Sequence, residues 1–240
     1  MKIWAISDVH LPGAKGRTMD YFGKVWNDHT HKISRNWRRI VDREDIVLIG
    51  GDISWSYKLE GAMADLGRLA DLPGKTKVIV KGNHDIWWKK LHKIVPALPN
   101  SVIAMEGSAI KIEGQIFCGT RGWVAPNDPY FEQLDMKTYR KEMELLERSL
   151  EEAMAFDPKQ GIHVLLHFPP FTSTGHKNRF FDLLKQYPTL SCTYGHFHMR
   201  EEWQKTPRGE VDGISCRLTS SDFLNHIPTL IWDSTTTDRS

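Results

Sequence analysis

The sequence contains only three cysteines among its 240 residues, Cys118, Cys192 and Cys216. Their odd number and wide spacing fit neither a disulfide framework nor a cysteine-rich zinc module. Chains with so few and such scattered cysteines are typical of a reducing compartment. We therefore predict a cytoplasmic location.

Long apolar segments and an excess of one charge are also missing. The apolar stretch at the amino terminus is interrupted at Asp8, too early for the core of a signal peptide or for a membrane helix, so no membrane partner is expected. The 32 basic and 30 acidic residues give a formal net charge of +2, too small to suggest a surface that coats nucleic acid. Partners must be inferred from individual sites, and the oligomeric state is left open.

Hydrophobic residues make up 40% of the chain and charged residues 26%, which is typical of a globular protein with one sizeable core. Short runs rich in Ile and Val alternate with amphipathic stretches, the pattern of an α/β fold. We predict a single domain over residues 1–232, followed by a polar, frayed segment over residues 233–240.

Short apolar runs closed by Gly, Asp or Asn predict buried strands. These runs are residues 2–7, 46–49, 77–80, 162–166 and 191–194, with weaker signals at 214–218 and 229–232. Apolar residues at helical spacing predict helices over residues 34–42, 59–71 and 136–154. Runs at 102–104, 109–112 and 115–120 follow one another at short intervals and predict a meander, which would make the sheet mixed.

Polar side chains follow the predicted strands at the points where they end. The motifs are Asp8-Val9-His10, Gly50-Gly51-Asp52, Gly82-Asn83-His84-Asp85, His167 and Gly195-His196-Phe197-His198. Ligand sites of α/β sheets lie at the carboxyl ends of strands, so these side chains are expected to converge on one edge. Carboxylate, amide and imidazole groups without thiolate suit ions such as Mn, Fe or Zn. The sequence therefore predicts a metal site.

This ordered set resembles the signature of the calcineurin-like metallophosphoesterase superfamily, which runs D-x-H, G-D, G-N-H-[DE], a single His and G-H-x-H. All five parts are present in order between Asp8 and His198. The resemblance implies an α/β fold, a four-layer αββα sandwich of two mixed β-sheets flanked by helices. It also implies a phosphoric ester hydrolase in which a bridging hydroxide on a dinuclear metal centre attacks phosphorus.

The resemblance further implies roles for individual residues. Seven side chains would hold two divalent or transition metal ions: Asp8, His10 and His198 the first, Asn83, His167 and His196 the second, and Asp52 both. His84 would be catalytic, stabilising the transition state or protonating the leaving alcohol, with Asp85 orienting it. Manganese is the expected metal, with Fe, Zn and Ni as alternatives.

Each of these residues taken alone has a structural interpretation. Asp8 could cap a helix, Asp52 could belong to an ordinary turn, and His167 could be a hydrogen-bonded core histidine. Their joint occurrence favours metal ligands. His196 and His198 have the strongest individual case, because two imidazoles after a buried strand are costly to desolvate without a partner.

Three cations are candidates for binding anionic groups of the substrate. Lys177 and Arg179 follow His167 in a loop that should overhang the metal ions, although plain surface exposure explains them equally well. Arg121 belongs to residues 119–131, a long segment after a strand that is a candidate pocket wall. The expected substrate is a small phosphate monoester or diester, nucleotides included. A nuclease is less favoured because no additional nucleic-acid domain is evident, and a catalytically silent metal-binding scaffold or regulator is the other alternative.

Other conspicuous side chains are interpreted as structural rather than functional. His29 and His31 fall in the long connection over residues 11–32, which is interpreted as a solvated loop. Trp87 and Trp88 could form a platform for a substrate ring, but packing beneath a helix is favoured.

Overall fold

The structure is a computed structural model, and it describes residues 1–235. Its strands are β1 (Lys2–Ile6), β2 (Ile46–Ile49), β3 (Thr76–Val80), β4 (Val102–Met105), β5 (Ser108–Ile112), β6 (Gln115–Thr120), β7 (Ile162–Leu166), β8 (Thr189–Tyr194), β9 (Gly209–Val211), β10 (Ile214–Leu218) and β11 (Thr229–Asp233). Its α-helices are α1 (His29–Ile40), α2 (Leu59–Ala70), α3 (Leu91–Ile94), α4 (Met136–Met154), α5 (Arg179–Leu184) and α6 (Arg200–Lys205). Short 3₁₀ helices lie at Asp20–Phe22, Lys24–Trp26, Val95–Ala97 and Gln133–Asp135.

The chain forms two compact units. The first comprises Met1–Ala104 together with the chain from Thr219 onward, and the second comprises Met105–Leu218. No helix within residues 1–235 is both long enough and apolar enough to cross a bilayer.

The first unit contains a mixed five-stranded sheet with the order β11-β1-β2-β3-β4. β1, β2 and β3 run parallel, and β11 pairs antiparallel with β1. Every residue of β2 is buried. A continuous apolar run, rather than an alternating one, is expected for a central parallel strand because both of its faces are covered.

Helices α1 and α2 pack their apolar faces into the core of this unit. Ile33 and Trp37 of α1, and Leu66 and Leu69 of α2, belong to the same buried cluster as Ile49 of β2. Spacings of three or four residues keep such side chains on one side of a helix. Burying each large apolar side chain stabilises the fold by about 1.5–3 kcal/mol, which is what holds these helices against the sheet.

The second unit contains a mixed six-stranded sheet with the order β5-β6-β7-β8-β10-β9. β6, β7, β8 and β10 are parallel neighbours, and the antiparallel strands β5 and β9 form the edges. Helix α4 contacts β5 and β6. Its buried residues Leu146, Leu150 and Ala153 lie three or four positions apart, so they share the face that packs in the unit.

The predicted fold class, an α/β fold with two mixed sheets flanked by helices, is confirmed. The predicted meander is wrong, because β4 belongs to the first sheet while β5 and β6 form a hairpin in the second. The loop interpretation of residues 11–32 is wrong for His29 and His31, which both lie in α1; His29 is buried at its start and His31 is exposed. β11 extends to Asp233, and residues 236–240 of the predicted frayed segment lie outside the described residues.

Candidate metal centre

The parallel strands of the first unit end at one edge of their sheet, and a motif follows each strand. Asp8 and His10 follow β1, Asp52 follows β2, and Asn83 follows β3. The first two segments continue side by side beyond the strands, since Asp8 N donates to Gly51 O at 3.0 Å and His10 N donates to Asp52 O at 2.9 Å. The predicted ligands of this unit therefore lie at the same sheet edge.

The two carboxylates at this edge are buried with an imidazole. Asp8, His10 and Asp52 each expose 2% of their surface or less. Ser7 Oγ donates to Asp8 Oδ2 at 2.5 Å, and His84 N donates to Asp52 Oδ1 at 2.8 Å. The second carboxylate oxygen, Asp52 Oδ2, lies 3.7 Å from His10 Nε2. Buried carboxylates are unfavourable unless such donors or cations surround them.

The atoms Asp52 Oδ2 and His10 Nε2 fit a shared metal ion. Metal ions such as zinc bind carboxylate oxygen and imidazole nitrogen at about 2.0–2.2 Å, so two atoms separated by 3.7 Å can bind the same ion. Oxygen and nitrogen donors suit Mn, Fe, Zn and Ni. The residues at this edge therefore fit a divalent metal.

The backbone is strained at four of the predicted ligands. The φ angles of Asp8, His10, Asp52 and His196 are 55°, 43°, 51° and 71°. Residues other than glycine rarely adopt this left-handed region, and such strain persists only where the surrounding structure enforces it, commonly at functional sites. Four of the ten described non-glycine residues with positive φ are thus predicted ligands.

Asp85 ties the turn after β3 to the segment after β2. Its buried Oδ1 accepts from Ile53 N, Ser54 N and Trp87 Nε1 at 2.9–3.1 Å, and its Oδ2 accepts from Gly82 N at 2.8 Å. Burial raises the pKa of Asp85, and the four N–H donors oppose that shift because they stabilise the carboxylate. Asp85 therefore fixes the backbone that carries its neighbour His84, and its effect on the His84 ring stays a prediction.

Two residues that the sequence did not single out as site residues support His10 and His84. The ring of Trp55 stacks on that of His10, with centroids 4.9 Å apart and planes 18° apart, and its centroid is 4.8 Å from that of His84. His29 Nε2 lies 3.1 Å from His10 O, and His29 Nδ1 lies 3.1 Å from Trp26 O. The one sequence signal for Trp55 is its position three residues after Asp52.

The second unit brings its predicted ligands to the ends of the neighbouring parallel strands β7 and β8. His167 follows β7, and His196 and His198 follow β8. Gly195 N donates to His167 O at 3.0 Å, and the ring centroids of His167 and His196 lie 5.2 Å apart. His167 is buried, whereas His196 and His198 are half-buried. Neighbouring imidazoles at adjacent strand ends are suited to metal binding.

Residues 1–200 match the family model described as calcineurin-like phosphoesterase. The chain belongs to the calcineurin-like phosphoesterase family. The match includes all seven predicted metal ligands.

Similar proteins add no substrate to this family assignment. The Gene 66 protein of Mycobacterium phage L5 is 32% identical over 82 residues, which cover 34% of this chain and 39% of the phage protein. The Gene 66 protein of Mycobacterium phage D29 is 37% identical over 84 residues, which cover 35% and 40%. The chain thus spans about two fifths of the length of these relatives. A protein of unknown function from Aquifex aeolicus, AQ665, has a crystal structure that matches with a TM-score of 0.50 at 14% identity, over 99% of this chain and 98% of its own, which shows the fold alone.

The three cations predicted to bind substrate lie in the second unit of the chain. Arg121 Nη2 lies 3.0 Å from Glu142 Oε1, and Lys177 Nζ lies 2.7 Å from Asp212 Oδ2. Arg179 is exposed at the start of α5. The two ion pairs compete with an anionic ligand for Arg121 and Lys177, and substrate binding by all three cations stays a prediction.

A cavity of about 280 Å³ adjoins His196 in the second unit. Trp123 and Tyr130, from the segment interpreted as a pocket wall, line it. Phe168 also lines it and packs on His196, with ring centroids 3.9 Å apart. Aromatic walls of this kind suit the apolar or planar part of a small ligand.

All three cysteines are buried free thiols. Burial raises the pKa of Cys118 and of Cys216 to about 12, and that of Cys192 well above its ordinary value. Metal binding and nucleophilic attack require the thiolate, so these residues are inert at neutral pH.

Proposed function

We propose that the protein hydrolyses a small phosphate ester with two metal ions bound by Asp8, His10, Asp52, Asn83, His167, His196 and His198. The observation that carries the proposal is the buried pair at one sheet edge, Asp52 Oδ2 at 3.7 Å from His10 Nε2, in a chain of the calcineurin-like phosphoesterase family. Asp8, His10 and His198 would hold one ion, and Asn83, His167 and His196 the other. Asp52 would contact both.

When bound, the two ions supply charge that neutralises phosphoryl oxygens and lowers the pKa of water, which makes hydroxide available at neutral pH. Manganese is the proposed metal. The side chains of the protein supply the orientation: the bond from His84 N to Asp52 Oδ1 leaves Asp52 Oδ2 facing His10. Such preorganised ligands avoid reorganisation during the reaction.

His84 is the proposed catalytic group of the protein itself. Its ring is exposed, and its centroid lies 5.7 Å from that of the buried His10, so it can reach a substrate held at the metal ions. A ring N–H of His84 would stabilise a phosphoryl oxygen or pass its proton to the oxygen of the leaving alcohol. Asp85 would position His84 through the backbone of the turn that carries both residues.

The proposed substrates are small monoesters or diesters, with nucleotides included. The three buried free thiols favour a reducing compartment, and the cytoplasm is the proposed location.

The direct test is hydrolysis of p-nitrophenyl phosphate and bis(p-nitrophenyl) phosphate by the full chain with Mn. Chelation should remove activity, and Asp52→Asn and His84→Ala should each lower kcat by about 100-fold or more. His92→Ala, at an exposed position of α3, is the matched control and should retain wild-type turnover. Activity that is indifferent to the chelator and to both site variants would contradict the proposal, and metal binding without hydrolysis would favour a silent scaffold.

A further inference from the structure

A cationic and aromatic surface adjoins the candidate catalytic residues of the first unit. We call it the Arg17 surface; it is formed by Lys15, Arg17, Trp55 and Tyr57. Trp55 connects it to the site, because its ring contacts the rings of His10 and His84 at centroid distances of 4.9 Å and 4.8 Å. The Trp55 ring is therefore shared between this surface and the candidate site.

Aromatic rings position the cations of the Arg17 surface. The guanidinium carbon of Arg17 lies 5.1 Å from the ring centroid of Trp55 and 5.8 Å from that of Tyr57. Arg17 Nη2 also donates to Tyr57 Oη at 3.2 Å, and Lys15 Nζ lies 5.9 Å from the Tyr57 centroid. Within residues 1–235 the Arg17 guanidinium has no carboxylate partner. Cation–π contacts hold a cation without neutralising its charge, so Arg17 remains able to pair with an anion.

The loop that carries Lys15 and Arg17 is anchored before any ligand binds. The buried carboxylate of Asp65 in α2 accepts from Gly13 N at 2.8 Å and from Ser54 Oγ at 2.6 Å through the same oxygen, Oδ2. Asp65 thus joins this loop to the segment that carries Trp55. A prearranged loop loses less conformational entropy on binding, which favours a binding role over a chance surface arrangement.

The shape and charge of the surface suit a phosphate-bearing ligand. A cavity of about 400 Å³ is lined by Lys15, Trp55 and Tyr57 of this surface, and Arg17 lies outside its lining. Its volume is typical of a small-molecule site. Lys15 and Lys58 line it against a single acid, Glu60. Together with Arg17, the cations outnumber the acid, so the local potential attracts anions.

We propose that the Arg17 surface binds a second phosphate of the substrate, so that the protein prefers phosphoesters with two or more phosphates over monophosphates. The planar guanidinium of Arg17 can bind two phosphate oxygens at once, and Lys15 adds a second cation. This inference rests on the proposed function and narrows its substrate class. Nucleoside bisphosphates and sugar bisphosphates both carry the required chemistry: hydroxide would form a bond to one phosphorus, the ester P–O bond would break and release the alcohol, and Arg17 would bind the other phosphate.

The kinetic test compares kcat/KM for adenosine 3′,5′-bisphosphate and fructose 1,6-bisphosphate with kcat/KM for p-nitrophenyl phosphate. In Arg17→Gln the ratio of two-phosphate to one-phosphate substrates should fall about tenfold, mainly through KM, because one charge-assisted contact is lost. Arg39→Gln removes the same charge from an exposed position of α1 and should leave the ratio unchanged. A loss with either or both two-phosphate substrates supports the proposal and identifies the source of the second phosphate.

A binding test separates this inference from the proposed function. Calorimetric titration of the metal-free full chain with inorganic pyrophosphate should give a Kd about tenfold higher for Arg17→Gln than for the wild type and for Arg39→Gln. If pyrophosphate binding depends on Arg17 but the protein hydrolyses no ester, phosphate binding at the Arg17 surface is supported and the proposed hydrolysis is contradicted. If the protein hydrolyses esters but Arg17→Gln changes neither the substrate ratio nor the Kd for pyrophosphate, phosphate binding at the Arg17 surface is contradicted and the proposed hydrolysis is supported.

Discussion

The backbone of Gly82 lies so close to Asp52 that a Cβ at residue 82 would be 2.0 Å from Asp52 Oδ1 and 2.2 Å from Asp52 N. The same approach allows His84 N to donate to Asp52 Oδ1 at 2.8 Å. The motif after β3 therefore depends on glycine to reach the candidate bridging carboxylate after β2.

Gly82→Ala should lower kcat by about tenfold or more and lower the free energy of unfolding by about 1–3 kcal/mol, since the turn or the carboxylate must move. Gly67→Ala is the matched control: outside the adjacent residues and the backbone of α2, no atom of the described residues lies within 4 Å of a Cβ added there, and alanine favours the helix by about 1 kcal/mol. Turnover and urea unfolding of both variants decide the matter. Equal activity of the two variants would show that the close approach has no functional role.

Asp85→Asn tests whether the hydrogen bonds of Asp85 hold the turn after β3 in place. Four N–H groups donate to the carboxylate of Asp85. In the variant, the NH₂ of the amide must face at least one of these N–H groups, and the negative charge is lost. We expect the free energy of unfolding to fall by about 1–3 kcal/mol and kcat to fall with it. Asp42→Asn makes the same chemical change at an exposed position and should alter neither quantity. Wild-type turnover in Asp85→Asn would argue against a positioning role.

Because His163 is buried, we expect the folded protein to lose stability in acid. Burial lowers its pKa from 6.5 to about 4, while its ring nitrogens contact Ser191 Oγ and Gln115 Oε1. At pH values between about 4 and 6.5, the His163 ring binds a proton in the unfolded chain more readily than in the folded one. The free energy of unfolding therefore falls as the pH drops from about 6.5 to about 4. The full shift amounts to about 3 kcal/mol.

Urea unfolding of the wild type and His163→Gln at pH values from 4 to 7 measures this contribution. The variant should lose about 3 kcal/mol less than the wild type over that range, although it starts from a lower stability at pH 7. Parallel pH profiles would mean that His163 titrates normally in the folded protein.

The sequence predicted the features of this protein that depend on short-range pattern. Strand ends were recognisable because apolar runs stop at polar motifs, and the bounds of β2, β6, β7 and β10 were predicted correctly. Trp87 and Trp88 are buried, as the packing interpretation required. Parallel neighbours then placed Asp8, His10 and Asp52 at one sheet edge without knowledge of the tertiary structure.

Features that depend on tertiary contacts were not predictable. β4 and β5 are separated by two residues, yet they belong to different sheets, because strand pairing is decided by packing rather than by chain distance. His29 has no motif around it, and only the fold brings its ring to the backbone of His10. The carboxylate of Asp65 joins the two loops that form the Arg17 surface. No sequence pattern near these residues indicates this long-range contact.

Manganese-edge anomalous diffraction from crystals of the full chain soaked in Mn tests the central claim most directly. The account predicts two anomalous peaks per chain, both within bonding distance of the Asp52 carboxylate, and their loss or weakening in Asp52→Asn crystals. Manganese at unrelated surface positions, with none at Asp52 or His10, would contradict it.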